Sequence, residues 1–257
     1  MALSRGERKA KAIATADIAS QTGRTLLNLR EMILRGDFQP GERISELPMV
    51  ARLGVSRTPI RLALDRLSHE GLLEVSPGGG FVVRAFTVPD IWDAIETRGV
   101  LEGAAARLAA ERYTRDRELD ALRRLRDEMD MISRPSIETF ARYLDLNEAF
   151  HSAIVDLAKS PMLRWTMQRV VSLPFASPSA LVFAGSYGEH ADAMRTVAHE
   201  HHHALVEAIE HRQGSRAESL AREHAHMARR NLEVAMADQK ILSTVPGGRL
   251  IRLSTPA

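Results

Sequence analysis

With 257 residues, 44% of them hydrophobic and 26% charged, the chain has the composition of a folded soluble protein and the length for two ordinary domains. No run of eighteen apolar residues occurs and the opening residues lack the apolar core of an export signal, so the expected location is cytoplasmic, with no membrane insertion. Cysteine is absent, which excludes disulfides, thiolate nucleophiles and Cys-ligated zinc and leaves any metal to the ten histidines and to Asp, Glu or Asn. The net charge of +2 is unevenly placed, with thirteen Lys/Arg against nine Asp/Glu in residues 1–88 and 22 against 24 in the remainder. A basic excess at one end fits a nucleic-acid module joined to something else.

Residues 1–21 are polar and basic without a sustained apolar stripe and read as an N-terminal arm. From Thr25 the spacing of Leu26, Leu29 and Ile33 predicts a helix that ends at Arg35-Gly36-Asp37. A short helix follows over about Ser45–Leu53, with Pro48 tolerated in its first turn, where backbone N–H groups have no intrahelical partner. Gly54 stops it, and Ser56 is placed to cap a third helix through RTPIRLALDRLSHE, whose buried stripe is Ile60, Ala63, Leu64 and Leu67. After Gly71, the runs LLEV and FVVR joined by SPGGG read as a β-hairpin with a glycine-rich tip. Helix, helix, turn, helix, hairpin is the order of a winged helix-turn-helix, expected over residues 22–88.

An α-helix fits the DNA major groove, and arginines in its first turn can pair bidentately with guanine. Arg57 and Arg61 stand four apart off the buried stripe of the third helix, with Thr58 beside them. The stretch PGERISELPMVARLGVSRTPIRLALDRLSHEGLLEVSPGGGFVV resembles the DNA-binding domain of the GntR superfamily of bacterial regulators, without a gap over about residues 22–86. That resemblance implies guanine reading by Arg57 and Arg61, backbone contact by Thr58, a place for Ser56 at the same helix end, and entry of Gly79 or Gly80 into the minor groove. Pro48 and Met49 depart from residues that are commonly more polar in the family.

Pro89 reads as a helix breaker after the wing, and from Asp90 to about Asp238 the pattern is one of long amphipathic helices, with breaks near Tyr113-Thr114, Arg134-Pro135, Ser160-Pro161, Leu173 to Pro178, Gly185 to Gly188 and Gln213-Gly214. An antiparallel bundle of six or seven helices is expected over residues 89–238, giving a mostly α protein, and residues 239–257, rich in Pro, Gly and Thr, read as a loosely ordered tail. The stripe Phe140, Leu144, Asn147, His151, Ile154 turns Asn147 and His151 inward together. His202 shares a stripe with Ala198, Leu205, Val206 and Ile209, while His201 and His203 are rotated by about 100° to either side. His224 lies with Leu220, Met227 and Asn231, and His226 points away. Three histidines and an amide thus face one interior, as satisfied core residues or as metal ligands of the kind bundles gather from facing helices. Arg98 shares the stripe of Ile91, Ile95, Glu102 and Ala105, where it either contacts a carboxylate ligand or pairs with Glu102.

The segments ETRGVLEGAAARLAAER, NEAFHSAI, HHALVEAI and AREHAHMARRNL resemble the FadR subfamily of GntR regulators, whose helical ligand-binding domain is called FCD. In many members an Asp or Asn and three His bind a divalent metal that helps hold a small carboxylate effector. By resemblance these ligands correspond to Asn147, His151, His202 and His224, with Arg98 and Glu102 at the effector, and zinc is the expected metal ahead of nickel, manganese or iron. Asn147 in place of the commoner aspartate removes one negative charge. The implied function is a homodimeric transcriptional regulator that reads an inverted-repeat operator on double-stranded DNA and responds to a small organic acid. Two alternatives stay open, a metal-dependent enzyme tethered to DNA, and a regulator whose metal is structural only.

Overall fold

A computed structural model describes residues 21–132, 137–173, 175–180, 182 and 189–252 of the chain. These divide into two units, one made of the residues up to Phe86 together with those from Arg249 on, the other Thr87–Gly248. The basic arm read over residues 1–21 lies, but for its last residue, outside the described residues.

In the first unit, α1 (residues 21–35) ends where Gly36 takes φ 88°, with Gly36 N–H donating to Ile33 O and Asp37 N–H to Met32 O, which satisfies the last carbonyls of the helix. Next come β1 (Arg43–Ile44), α2 (Glu46–Leu53) and α3 (Arg57–His69). Ser56 sits at the N-cap of α3 with extended backbone angles, but its hydroxyl makes no capping bond. Ile60, Ala63, Leu64 and Leu67 are fully buried, as are Leu29 and Ile33 of α1, at about 1.5–3 kcal/mol for each large side chain removed from water. The hairpin β2 (Leu73–Val75) and β3 (Phe81–Val83) is antiparallel, and β1 joins its other edge to give the order β1-β3-β2. Phe81 and Val83 face the core from the central strand. β1 escapes the sequence reading because two residues carry no periodicity.

A second pair, β4 (Phe86–Thr87) with β5 (Ile251–Arg252), corrects the expectation of a loose tail. Residues 239–252 form α10 (Gln239–Thr244), a 3₁₀ turn at Gly248–Leu250 and β5, and they bury Leu242, Val245, Leu250 and Ile251. Burial of those four apolar side chains outweighs the local Pro and Gly signal.

The second unit begins with α4 (Val88–Arg112), where Thr87 and Asp90 form a reciprocal capping box and Pro89 falls in the first turn. The bundle continues with α5 (Asp120–Asp130), α6 (Ile137–Leu157), α7 (Pro161–Val171), α8 (Glu189–Glu210) and α9 (Gly214–Ala237). Its core is built around Phe150, Ile154, Leu205, Val206, Ile209, Ala105 and Ala109. α4 packs most extensively on α9. The close approach depends on Gly99 and Gly103, where an added Cβ would lie 3.1 Å from the Ala225 Cβ and 2.8 Å from the Arg222 Cγ respectively. No helix among the described residues is long and apolar enough to cross a membrane.

Candidate functional site

On the first unit, the buried stripe of α3 turns Arg57, Thr58 and Arg61 outward, and all three are exposed together with Ser56. Neither arginine has a carboxylate partner among the described residues, so both guanidinium groups keep their donors for another acceptor. At the wing tip Ser76 N–H donates to Gly80 O (3.0 Å) and Gly79 N–H to Ser76 O (2.8 Å). Gly79 and Gly80 take φ 78° and 79°, a pair of left-handed residues that strongly favours glycine. The Arg43 guanidinium donates to the carbonyls of Gly78 and Gly79 and braces this tip from β1. The sequence reading had no reason to single out Arg43, because its strand is too short to be seen.

In the helical unit, α6, α8 and α9 bring His151, His202 and His224 together, with one ring nitrogen from each lying within 4.8 Å of the others. His202 is 1% exposed and His203 on the next position is half-exposed, but His201, expected to point away as well, has its ring 5.8 Å from that of His224 and its Nδ1 buried without a hydrogen-bond partner. His203 Nε2 meets Asp130 Oδ2 at 2.7 Å, and His226 Nε2 meets Glu96 Oε2 at 2.7 Å on the surface of α9. His202 Nε2 and His224 Nε2 face each other at 3.2 Å, and both Nδ1 atoms are buried without a hydrogen-bond partner. Burial, and then the neighbouring imidazoles, push both histidines well below their ordinary pKa, so both stay neutral near pH 7 with lone pairs available to a ligand.

Glu102 ties the triad to Arg98. His151 Nδ1 lies 3.2 Å from Glu102 Oε1, and Glu102 Oε2 lies 3.9 Å from Arg98 Nε. Burial alone would raise the Glu102 pKa, but His151 and Arg98 outweigh it and hold the carboxyl below its ordinary value. An ionised Glu102 accepts the Nδ1 proton of His151, which leaves His151 Nε2 bare, and that atom is buried with no partner. Arg98 also donates to backbone carbonyls, from Nη1 to Ser177 O (2.6 Å) and Ala176 O (3.4 Å) and from Nη2 to Ala225 O (3.2 Å). Asn147 is buried one turn before His151, and its Nδ2 donates to Ser179 Oγ at 3.0 Å, leaving the amide oxygen as its ligating end.

Residues 22–83 match the model for bacterial regulatory proteins of the gntR family, and residues 93–227, more than half of the chain, match the FCD domain. The chain belongs to the GntR family of transcriptional regulators and carries an FCD domain. It is 39% identical over 133 residues to the Nta operon transcriptional regulator of Aminobacter aminovorans, an alignment covering 52% of this chain and 61% of that relative. It is 32% identical over 145 residues to the uncharacterized HTH-type regulator YdhC of Bacillus subtilis, covering 56% of this chain and 64% of YdhC. The matches thus span less than two thirds of either relative. Among solved structures, E. coli McbR/YncC aligns over 84% of this chain and 97% of its own with a TM-score of 0.59 and 22% identity, a likeness of fold. The gntR-family match and the two curated relatives are described as regulators, which favours a regulator over the tethered-enzyme reading.

Two contributors to the FCD site are absent from the sequence reading. The segment 175–180, read only as a break, delivers the Ala176 and Ser177 carbonyls to Arg98 and the Ser179 hydroxyl to Asn147. Carbonyls leave no mark in a sequence. His199, also buried, meets Asp130 Oδ1 at 3.0 Å and stacks on Tyr143. It lies three positions before His202, near one helical turn, which is the signal that could have found it.

Proposed function

We propose that the FCD domain holds a divalent metal, zinc being the expected ion, through His151, His202, His224 and Asn147, and that a small carboxylate effector bound there changes operator affinity. The observation that carries this reading is the convergence of three ring nitrogens within 4.8 Å in a buried interior, with His151 Nε2 lacking any partner. Neutral imidazoles and an amide oxygen suit zinc, nickel, manganese or iron. The metal, when bound, supplies a positive charge that can take a carboxylate oxygen of the effector. Glu102 orients His151 by accepting its Nδ1 proton, and Arg98 is the second anchor for the effector carboxylate, exchanging the Ala176 and Ser177 carbonyls for it.

On the DNA side, Arg57 and Arg61 read guanines, Thr58 and Ser56 meet the backbone, and Gly79 and Gly80 let the wing tip approach the minor groove closely. A cytoplasmic homodimer on an inverted repeat completes the reading, since a two-fold dimer presents two α3 helices to two half-sites.

The test is thermal unfolding of the zinc-loaded full-length protein against small mono-, di- and tricarboxylates. A ligand at about 100 times its Kd stabilises the folded state by about 2.7 kcal/mol, a readily visible shift. At least one carboxylate should stabilise the wild type, and Arg98→Ala should lose that shift while retaining zinc. An equal shift in Arg98→Ala would exclude Arg98 from the effector site.

A further inference from the structure

A wing that enters a DNA groove passes between rows of phosphates, and this one brings no positive charge of its own. Residues 72–83, LLEVSPGGGFVV, contain no Lys or Arg and one acid, Glu74. The next cation, Arg84, follows β3 at the end away from the tip, with its Nε 3.8 Å from Glu74 Oε1. A glycine tip lets the backbone come close to DNA, but closeness alone supplies neither attraction nor sequence information.

The charge comes from outside the hairpin. β1 pairs antiparallel with β3, placing Ile44 opposite Phe81 and Arg43 opposite Val82. Ile44 is buried, so strand alternation puts Arg43 on the solvent face of the sheet, and it is exposed there. Its Nη2 donates to both Gly78 O (3.2 Å) and Gly79 O, and a Cβ added to Gly80 would lie 3.2 Å from its Nε. Pro77 and the three glycines that follow are exposed as well, so the guanidinium is held at an open tip. Nη2 carries two of the five N–H donors of an arginine. The other three, on Nε and Nη1, have no hydrogen-bond partner among the described residues, and Arg43 forms no ion pair among them.

We propose that Arg43 is the base-reading residue of the wing, entering the minor groove beside the glycine tip and giving the operator a preference for A·T pairs outside the guanines contacted by α3. This rests on the reading of α3 and the wing as the DNA-facing elements given above. An A·T-rich minor groove is narrow and strongly negative, and its floor offers only the acceptors adenine N3 and thymine O2, which suit the three uncommitted N–H groups. A G·C pair adds the guanine N2 amino group, which sets donor against donor. Because Nη2 is already tied to two carbonyls, the guanidinium is positioned before DNA arrives and loses less freedom on binding than an untethered surface arginine.

The test uses the full-length protein on an operator obtained by selection, which should carry A·T pairs beside the guanines. Those pairs are replaced by G·C, or by inosine·cytosine, which resembles G·C in the major groove but lacks the N2 amino group in the minor groove. Wild type should bind the G·C-flanked duplex about tenfold more weakly and the inosine·cytosine duplex within about threefold of the original. Arg43→Ala should bind all three within about twofold of one another while still requiring the guanines. Arg43→Gln keeps an amide that donates to the tip carbonyls but has no charge, and it should lose the flank preference while amide exchange at Gly79 stays within about threefold of wild type. Flank preference retained by Arg43→Gln, or lost only in step with faster exchange at Gly79, would make Arg43 a brace and overturn the proposal. An equal loss on every duplex with a shallower salt dependence would overturn it as well, by making Arg43 a phosphate contact. A wild type that needs the guanines but ignores the flanks overturns this proposal alone, and one that ignores the guanines too overturns the α3 reading with it.

Discussion

Replacing Glu102 with Gln separates what the carboxylate does for the site from what it does for the fold. The amide keeps the shape and an oxygen to accept the His151 Nδ1 proton at 3.2 Å, but it removes the charge 3.9 Å from Arg98. At that separation a unit pair is worth about 4 kcal/mol with an effective dielectric of about 20, part of which offsets the cost of burying Glu102 itself. Arg98 keeps its three carbonyl acceptors, so the expected loss is about 3 kcal/mol, at the low end for breaking a buried pair. In a domain of this size that lowers Tm by about 6–12 °C. Loss of the charge behind His151 should also weaken zinc about tenfold, the lower part of the range for such supporting groups. Calorimetry on zinc-free protein and competitive zinc titration read the two effects separately. If Glu102→Gln shifts Tm by less than about 2 °C and zinc affinity by less than about twofold, the carboxylate is engaged with neither Arg98 nor His151 in the way described.

Arg57→Ala and Arg61→Ala should each cost about 1–3 kcal/mol of operator binding and flatten base preference, measured by gel shift on a selected operator; unchanged affinity and preference in both would exclude α3 as the reading helix. Glu118 accepts from Lys159 Nζ at 2.6 Å, from the Thr114 hydroxyl and from the N–H groups of Thr114 and Arg115, and these bonds hold its pKa at about 2, below the ordinary 4.5. The folded state therefore gains from this ionised carboxylate above about pH 4.5, and the gain is lost as pH falls from there toward 2. Glu118→Gln should lower Tm at neutral pH, with the two curves converging at acid pH; parallel curves would mean the bonds do not favour the ionised form.

The parts of the fold legible in the sequence are those where burial imposes a period. Ile60, Leu64 and Leu67 fix the face of α3 and so expose Arg57 and Arg61, and the same rule turns His202 inward and His203 outward on α8. Glycine does equal work at the wing, where two left-handed residues in a row are needed. What escapes is structure without period. β1 and β5 are two residues each, the tail's Pro and Gly mask the burial of Leu250 and Ile251, and the acceptors of Arg98 are carbonyls from three residues that no side-chain pattern reveals. The site shows the same divide. Arg98 and Glu102 are recognisable as an i,i+4 pair, but not Glu102 as the group between Arg98 and His151, since that requires knowing how α4 meets α6.

The central claim is that the buried histidines of the FCD domain form one metal site chosen by helix phase, and metal content tests it most directly. Full-length protein purified without an affinity tag, loaded with zinc and dialysed, is measured by elemental analysis for the wild type and for single alanine variants. The account predicts one zinc per chain in the wild type, most of it lost in His151→Ala, His202→Ala and His224→Ala and retained in His201→Ala, whose ring lies 5.8 Å from that of His224 but outside the converging triad, and in His203→Ala and His226→Ala, whose side chains pair instead with Asp130 and Glu96. Retention of zinc by all three inward variants, or its loss only with His203 or His226, would contradict it.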